Sequence, residues 1–215
     1  MLFSNLDLPI LLTYLITLVI GITVHEFAHA KVADMFGDDT PRDNGRVTLN
    51  PLSHLDPIGS LMMIFAHFGW GRPVPVNPYV LGRRSPSAMM WVALAGPASN
   101  VLLAILAVIP LRLDWASFIP PQDFLPSSAM FLYAFAFTNI FLALFNLIPI
   151  SPLDGEKIAA YFFPPSIGDF LDGIRPYGPM ILILILFVLP YLGFDFIGIF
   201  VEPPVRNVML LLLPN

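Results

Sequence analysis

The chain has 215 residues, of which 57% are hydrophobic and only 12% charged, and its mean hydropathy is +0.79. A soluble domain of this size cannot cover so much apolar surface with so few charges, so the composition predicts an integral membrane protein. A net charge of −5 with ten Lys and Arg leaves no dense basic patch for nucleic acid, and the lack of cysteine excludes disulfides and thiolate metal sites.

A membrane span takes about 20 mostly apolar residues. The first runs over about 8–30 and is unusual in ending on His25, Glu26 and His29. The first basic residue is Lys31, so the charged leader of a secretory signal is absent and the chain is expected to insert by its own spans. Residues 45–80 follow as a region of short pieces. Arg46–Leu49 and Pro73–Asn77 read as extended segments, and Ile58–Phe68, which carries His67, is too short to cross. This region is expected to form a short β hairpin or a re-entrant segment, with His67 serving packing. The second span covers about 87–111, behind Arg83 and Arg84. The third, about 128–150, is rich in Phe and Leu. The fourth, about 177–200, contains the run MILILILFVLP. The tail Val208–Pro214 is too short to span and is expected at the interface. Twenty-three prolines predict broken helices and proline-rich turns around a cavity. The expected fold is therefore an all-α multi-pass membrane protein, one domain over 1–215, with four transmembrane helices and a small hairpin or re-entrant element on the cytoplasmic side.

Basic residues orient these spans. Lys31, Arg42, Arg46, Arg72, Arg83 and Arg84 lie between spans one and two, and Lys157 and Arg175 follow span three. Only Arg112 and Arg206 fall on the other side. By the positive-inside rule both of these loops are cytoplasmic and the two termini lie outside.

The strongest local signal is His25-Glu26-Phe27-Ala28-His29. Residues four apart share a helix face, so both imidazoles can bind one zinc while Glu26 stands beside them to handle a proton. Ionisable groups inside a span are expensive and mark a functional site by default. A third ligand is still needed. Asp154, in Asn146-Leu-Ile-Pro-Ile-Ser-Pro152-Leu-Asp154-Gly155, lies at the same membrane face, because spans one and three run in the same direction. From pattern alone, ligand and solvated turn residue are balanced readings of Asp154.

HEFAH at the end of a span, together with the NxxPxxPLDG pattern, resembles the site-2 protease family of intramembrane zinc metalloproteases. Residues 45–59, residues 68–78 and Ala95-Gly96-Pro97-Ala98-Ser99-Asn100 resemble a compact prokaryotic branch of that family. The resemblance covers roughly residues 15 to 160. It implies one zinc ion per chain held by His25, His29 and Asp154, with Glu26 as general base. It also implies that a transmembrane protein, met within the lipid bilayer of the cell membrane, is the substrate. No loop has the length of the PDZ or CBS modules carried by many relatives, so a minimal core is expected, with a homo-oligomer or a regulatory membrane partner left open.

On this reading Glu26 takes a proton from the attacking water and returns it to the departing amine. The developing oxyanion needs donors, for which His54, Asn146 and Asn100 are the candidates. Each has a bland alternative: a hydrogen bond within a turn for His54, an interhelical bond for Asn146, and a small-residue packing seam for Asn100. An exposed strand edge at Arg46–Leu49 or Pro73–Asn77 could hold an unwound substrate by strand addition. Two other functions compete. A metal-binding transporter or scaffold would have no use for Glu26, and a metal-free protease with paired carboxylates lacks a second carboxylate within a span.

Overall fold

In lipid an unpaired backbone polar group is costly, so the apolar runs become helices, and the few polar punctuation marks decide where those helices stop. The computed structural model describes residues 8–66, 69–119 and 125–213. Helix α1 spans Leu8–Met35. A short helix α2, Thr40–Asp43, and a 3-10 turn at Pro51–Ser53 lead to α3, Pro57–Ala66, and α4, Pro78–Arg84. Next come the long helices α5, Ala88–Arg112, and α6, Ser128–Asn146. The chain closes with α7, Asp154–Phe162, α8, Pro165–Ile174, α9, Gly178–Ile183, and α10, Glu202–Leu212.

Four helical runs are long and apolar enough to cross a membrane: Leu8–Met35, Ala88–Arg112, Ser128–Asn146 and Ser166–Leu192. The protein is thus a multi-pass membrane protein. Helices α1, α5 and α6 pack on one another and form the scaffold. Between α5 and α6 the small residues Ala104 and Ala107 let the backbones approach, and Phe135, Ala136 and Ile140 fill the seam. A second cluster, Ala33, Leu81, Ala88 and Val92, ties the end of α1 to α4 and the start of α5.

The fourth run differs from the expected 177–200. It begins at Ser166, and Gly193, at φ 84°, ends it in a left-handed turn. Its first turns hold Asp169 and Asp172, which a search for apolar windows passes over. Within it, α8 and α9 are followed by a π-helical turn at Leu184–Val188 and a 3-10 turn at Leu189–Leu192. Only 6% of its apolar window is buried inside the protein, against 39% for α1, 44% for α5 and 39% for α6. Its surface is therefore left for lipid.

The tail forms a helix too short to span, and Val201, Val205 and Met209, spaced four apart, seat the last segment against α5 and α6. One further expectation is corrected: the β hairpin is absent, because the described residues contain no sheet. One isolated antiparallel bridge joins Leu55 to Gly71, supported by the Arg72 amide donating to the His54 carbonyl at 2.7 Å. Prolines 51, 57, 73, 75 and 78 remove the donors a ladder would need, and Asn50 uses its side chain to cap the 3-10 turn instead. Ile58–Phe68 contains α3, ten residues long and too short to span. His67 lies outside the described residues.

Candidate metal centre

Helix periodicity places His25 and His29 one turn apart on the buried face of α1, with both residues 7% exposed. Asp154 arrives from the other end of the chain at the first position of α7, just after the turn that closes α6. Gly155 permits this turn, since a side chain there would run into the carbonyls of Leu147 and Ile148.

Three acceptor atoms converge. His25 Nε2 and His29 Nε2 are 3.0 Å apart, and Asp154 Oδ2 lies 3.1 Å from the first and 3.2 Å from the second. No other group of three ligand-type side chains among the described residues comes so close together.

The protons on the imidazoles can be assigned from their surroundings. Asn100 is fully buried on α5, and its amide nitrogen donates to the Gly21 carbonyl at 3.2 Å and to Asn139 Oδ1 at 2.8 Å. Its Oδ1 therefore faces His25, and His25 Nδ1 donates to it at 2.7 Å. His29 Nδ1 donates to the Val92 carbonyl, also at 2.7 Å. With both protons held on Nδ1, each Nε2 presents a lone pair to the centre. Such partners on the far side of the ring are the usual fixtures of metal-binding histidines.

This donor set fits zinc. Ligands on tetrahedral zinc with bonds of about 2.0–2.1 Å stand about 3.3 Å apart, close to the spacing found. Asp154 Oδ2 is buried and has no hydrogen-bond donor, as a ligand oxygen should be in the absence of its ion.

Glu26 is half-buried beside this triangle, and its carboxylate approaches Gly71, where an added Cβ would lie 3.3 Å from Oε1. The bridge between Leu55 and Gly71 thus forms one wall of the centre. Arg46 fixes that wall from behind: buried to 3% exposure, it donates through Nη1 to the Pro73 carbonyl at 2.9 Å and through Nη2 to the Arg72 carbonyl. Burial pulls its guanidinium below the ordinary value, against the support of the Glu26 charge.

The three oxyanion candidates take different positions. His54 is fully buried in the same wall, with Nε2 donating to the Thr48 carbonyl at 2.7 Å and Nδ1 left unpartnered. Asn146 spends its amide on the Leu142 carbonyl of its own helix at 2.9 Å. Both N–H bonds of Asn100 are engaged away from the centre, and its oxygen holds His25. Sequence reasoning missed Asn139 and the Glu156–Arg175 pair altogether, and it read Gly96 only as part of a packing seam. A polar side chain inside a Phe-rich span was the available signal for Asn139. Glu156 is buried in the first turn of α7 and accepts from Arg175 Nε at 2.6 Å.

The family model described as Peptidase family M50 matches residues 123–188. The chain is 41% identical over 182 residues to YwhC of Bacillus subtilis, which is named as a zinc metalloprotease, with 84% of this chain and 82% of that protein covered. It is 31% identical over 199 residues to Rip2 of Mycolicibacterium smegmatis, named likewise, covering 84% of this chain and 72% of that protein. A third protein so named, MJ0611 of Methanocaldococcus jannaschii, is 29% identical over 73% of each chain. No solved structure matches at comparable stringency. Identity of this order over more than two thirds of YwhC and Rip2 establishes that the chain belongs to peptidase family M50, the site-2 protease family of zinc metalloproteases.

Proposed function

We propose that this zinc metalloprotease is an intramembrane endopeptidase, one domain over 1–215, that cleaves transmembrane segments of other membrane proteins. His25, His29 and Asp154 hold the zinc and Glu26 is the general base. The observation that carries the reading is the meeting of three ligand-type atoms, His25 Nε2, His29 Nε2 and Asp154 Oδ2, within 3.2 Å of one another. Three lone pairs so close repel unless a cation joins them.

Zinc, when bound, supplies a positive charge that acidifies water and polarises a scissile carbonyl. The chain's own residues do the rest. Asn100 and the Val92 carbonyl keep the imidazole protons on Nδ1 and so keep both Nε2 atoms available. Glu26, next to His25 on α1, accepts a proton from the attacking water and delivers it to the departing amine. His54 lies in the wall beside Glu26, but its Nε2–H is spent on the Thr48 carbonyl, so it can add a donor to the developing oxyanion only as the imidazolium, through Nδ1–H. Asn146 has one N–H on the Leu142 carbonyl and a second to offer. Asn100 acts through His25, its own N–H groups being occupied. The basic residues that flank both ligand-bearing segments set the centre near the cytoplasmic face, with the termini outside.

The test is cleavage of a peptide containing a transmembrane helix by the protein in detergent or liposomes. Chelator should abolish cleavage and zinc restore it, and Glu26→Gln should be inactive while binding zinc with normal affinity. Cleavage that survives Glu26→Gln removes Glu26 from the role of base.

A further inference from the structure

Helix α6 is built largely from Phe, Leu and Ala, yet Asn139 sits in its middle, fully buried. An amide there is costly unless every polar atom is used, and in this case the use has a direction. Asn139 Nδ2 donates to the Phe135 carbonyl of its own helix at 2.9 Å. That bond fixes which end of the amide faces α5 and leaves Oδ1 as an acceptor. The acceptor takes an N–H from Asn100, 2.8 Å away. Asn100 must then turn its own oxygen toward His25, whose Nδ1 donates to it at 2.7 Å.

The neighbouring backbone is shaped to admit this chain of bonds. Gly21, one turn before His25, offers its carbonyl to Asn100. A Cβ at Gly21 would lie 3.1 Å from Asn139 Oδ1 and 3.1 Å from the side chain of Leu142, tighter than ordinary contact. Helices α1, α5 and α6 therefore meet around two amides and one glycine.

We propose that Asn139 is a positioning residue for the metal centre, acting through Asn100 to set the proton and orientation of His25. This rests on the reading of His25 as a zinc ligand. Without the Asn139 acceptor, the Asn100 amide keeps only the longer bond to the Gly21 carbonyl, at 3.2 Å, to distinguish its two ends. In the flipped orientation its N–H group would face His25, so the ring would move its proton to Nε2 and lose the lone pair aimed at the centre. An interhelical staple with no link to the centre would instead affect stability alone.

The two possibilities separate in a set of variants purified in detergent. Asn139→Leu keeps the volume and removes the acceptor, whereas Asn139→Asp keeps an oxygen where Oδ1 stands. Zinc affinity is read by competition with a chromogenic chelator, and ligand geometry by the visible absorption bands of the cobalt-substituted protein. Thermal unfolding of the zinc-free forms reports on folding. Asn139→Leu should weaken zinc by about tenfold, the lower end of what distant supports of a metal ligand contribute, and should alter the cobalt bands. Asn139→Asp should restore both toward the native values even if it melts lower. His25→Ala is the control for the underlying assignment. If His25→Ala loses zinc while Asn139→Leu binds it with native affinity and native cobalt bands, the relay is overturned and the ligand assignment stands. If His25→Ala binds zinc normally, the ligand assignment itself has failed.

Discussion

Gly96 of α5 lies directly across the imidazole of His25, and a Cβ on it would fall 2.6 Å from His25 Cε1 while also colliding with the ring of His29. The α5 backbone thus forms a lid on the two histidines, and a hydrogen is the largest substituent this approach tolerates.

Gly96→Ala should therefore damage the centre while sparing the fold. Both rings would have to move by several tenths of an ångström, and ligands so displaced no longer meet Asp154. We expect zinc affinity to fall by about a hundredfold or more, at the upper end of what disturbing a metal ligand's support produces. Chelator competition and cleavage would measure the loss, with helicity checked by circular dichroism. Native zinc affinity in this variant would mean that α5 sits further from the histidines than found here.

The pairing of Arg175 with Glu156 predicts a different kind of loss. Glu156 is buried two residues after Asp154, and Arg175 reaches it from the turn between α8 and α9, also meeting Asp172 at 2.6 Å. This pair helps moor the lipid-facing fourth run to the segment that carries Asp154. Removing one partner strands a buried charge, but Arg175 is half-exposed, so its loss should cost about 1–3 kcal/mol rather than the full penalty of a buried pair. Arg175→Met should destabilise the protein by this amount in denaturant titrations. Adding Glu156→Gln should recover part of it, because the pair is coupled. Strictly additive effects would dissolve the coupling.

How legible all this was in the sequence depends on the kind of interaction. His25, Glu26 and His29 stood out because intramembrane ionisable groups are costly and because helix periodicity dictates who shares a face. Asp154, in a turn outside the spans, was balanced by pattern and became a ligand only through the resemblance of its motif. The start of the fourth helical run did not stand out, since Asp169 and Asp172 lower local apolarity without breaking a helix. The expected hairpin failed because extended-looking residues between prolines have too few amide donors to build a ladder. Asn100 was singled out, but as an oxyanion donor. Its actual partner depends on which way an amide faces, and that is decided by Asn139 on another helix. The role of Gly96 is likewise one of distance between backbones, which no single-chain pattern encodes.

Arg46 offers a test of the wall beside Glu26. Its fork holds the carbonyls of Arg72 and Pro73, and with them the segment next to Gly71. Arg46→Lys retains the charge but not the planar pair of donors, so it should fail nearly as badly as Arg46→Ala. Leaving two carbonyls in a poorly solvated wall should cost about 2–4 kcal/mol of stability in either variant. Cleavage should fall with it, while zinc affinity measured at low temperature should change little, because no metal ligand touches Arg46. Near-native stability in Arg46→Lys would show that charge near Glu26, rather than the fork, is what matters.

Zinc itself should stabilise the fold, because the ligands proposed for it join the end of the first span to a segment that follows the third. A ligand that binds only the native state adds about 2.7 kcal/mol when present at a hundred times its dissociation constant. Chelation should therefore lower the melting temperature of the native protein, and zinc should raise it again in a concentration-dependent way. Asp154→Asn keeps the size of the side chain but replaces the anionic oxygen, so its melting temperature should respond far less to zinc or chelator. The comparison is made by differential scanning fluorimetry in detergent at neutral pH, where each Nε2 can offer its lone pair to the metal. An equal zinc response in the Asp154→Asn variant would remove Asp154 from the ligand set and leave the two histidines to find another third partner.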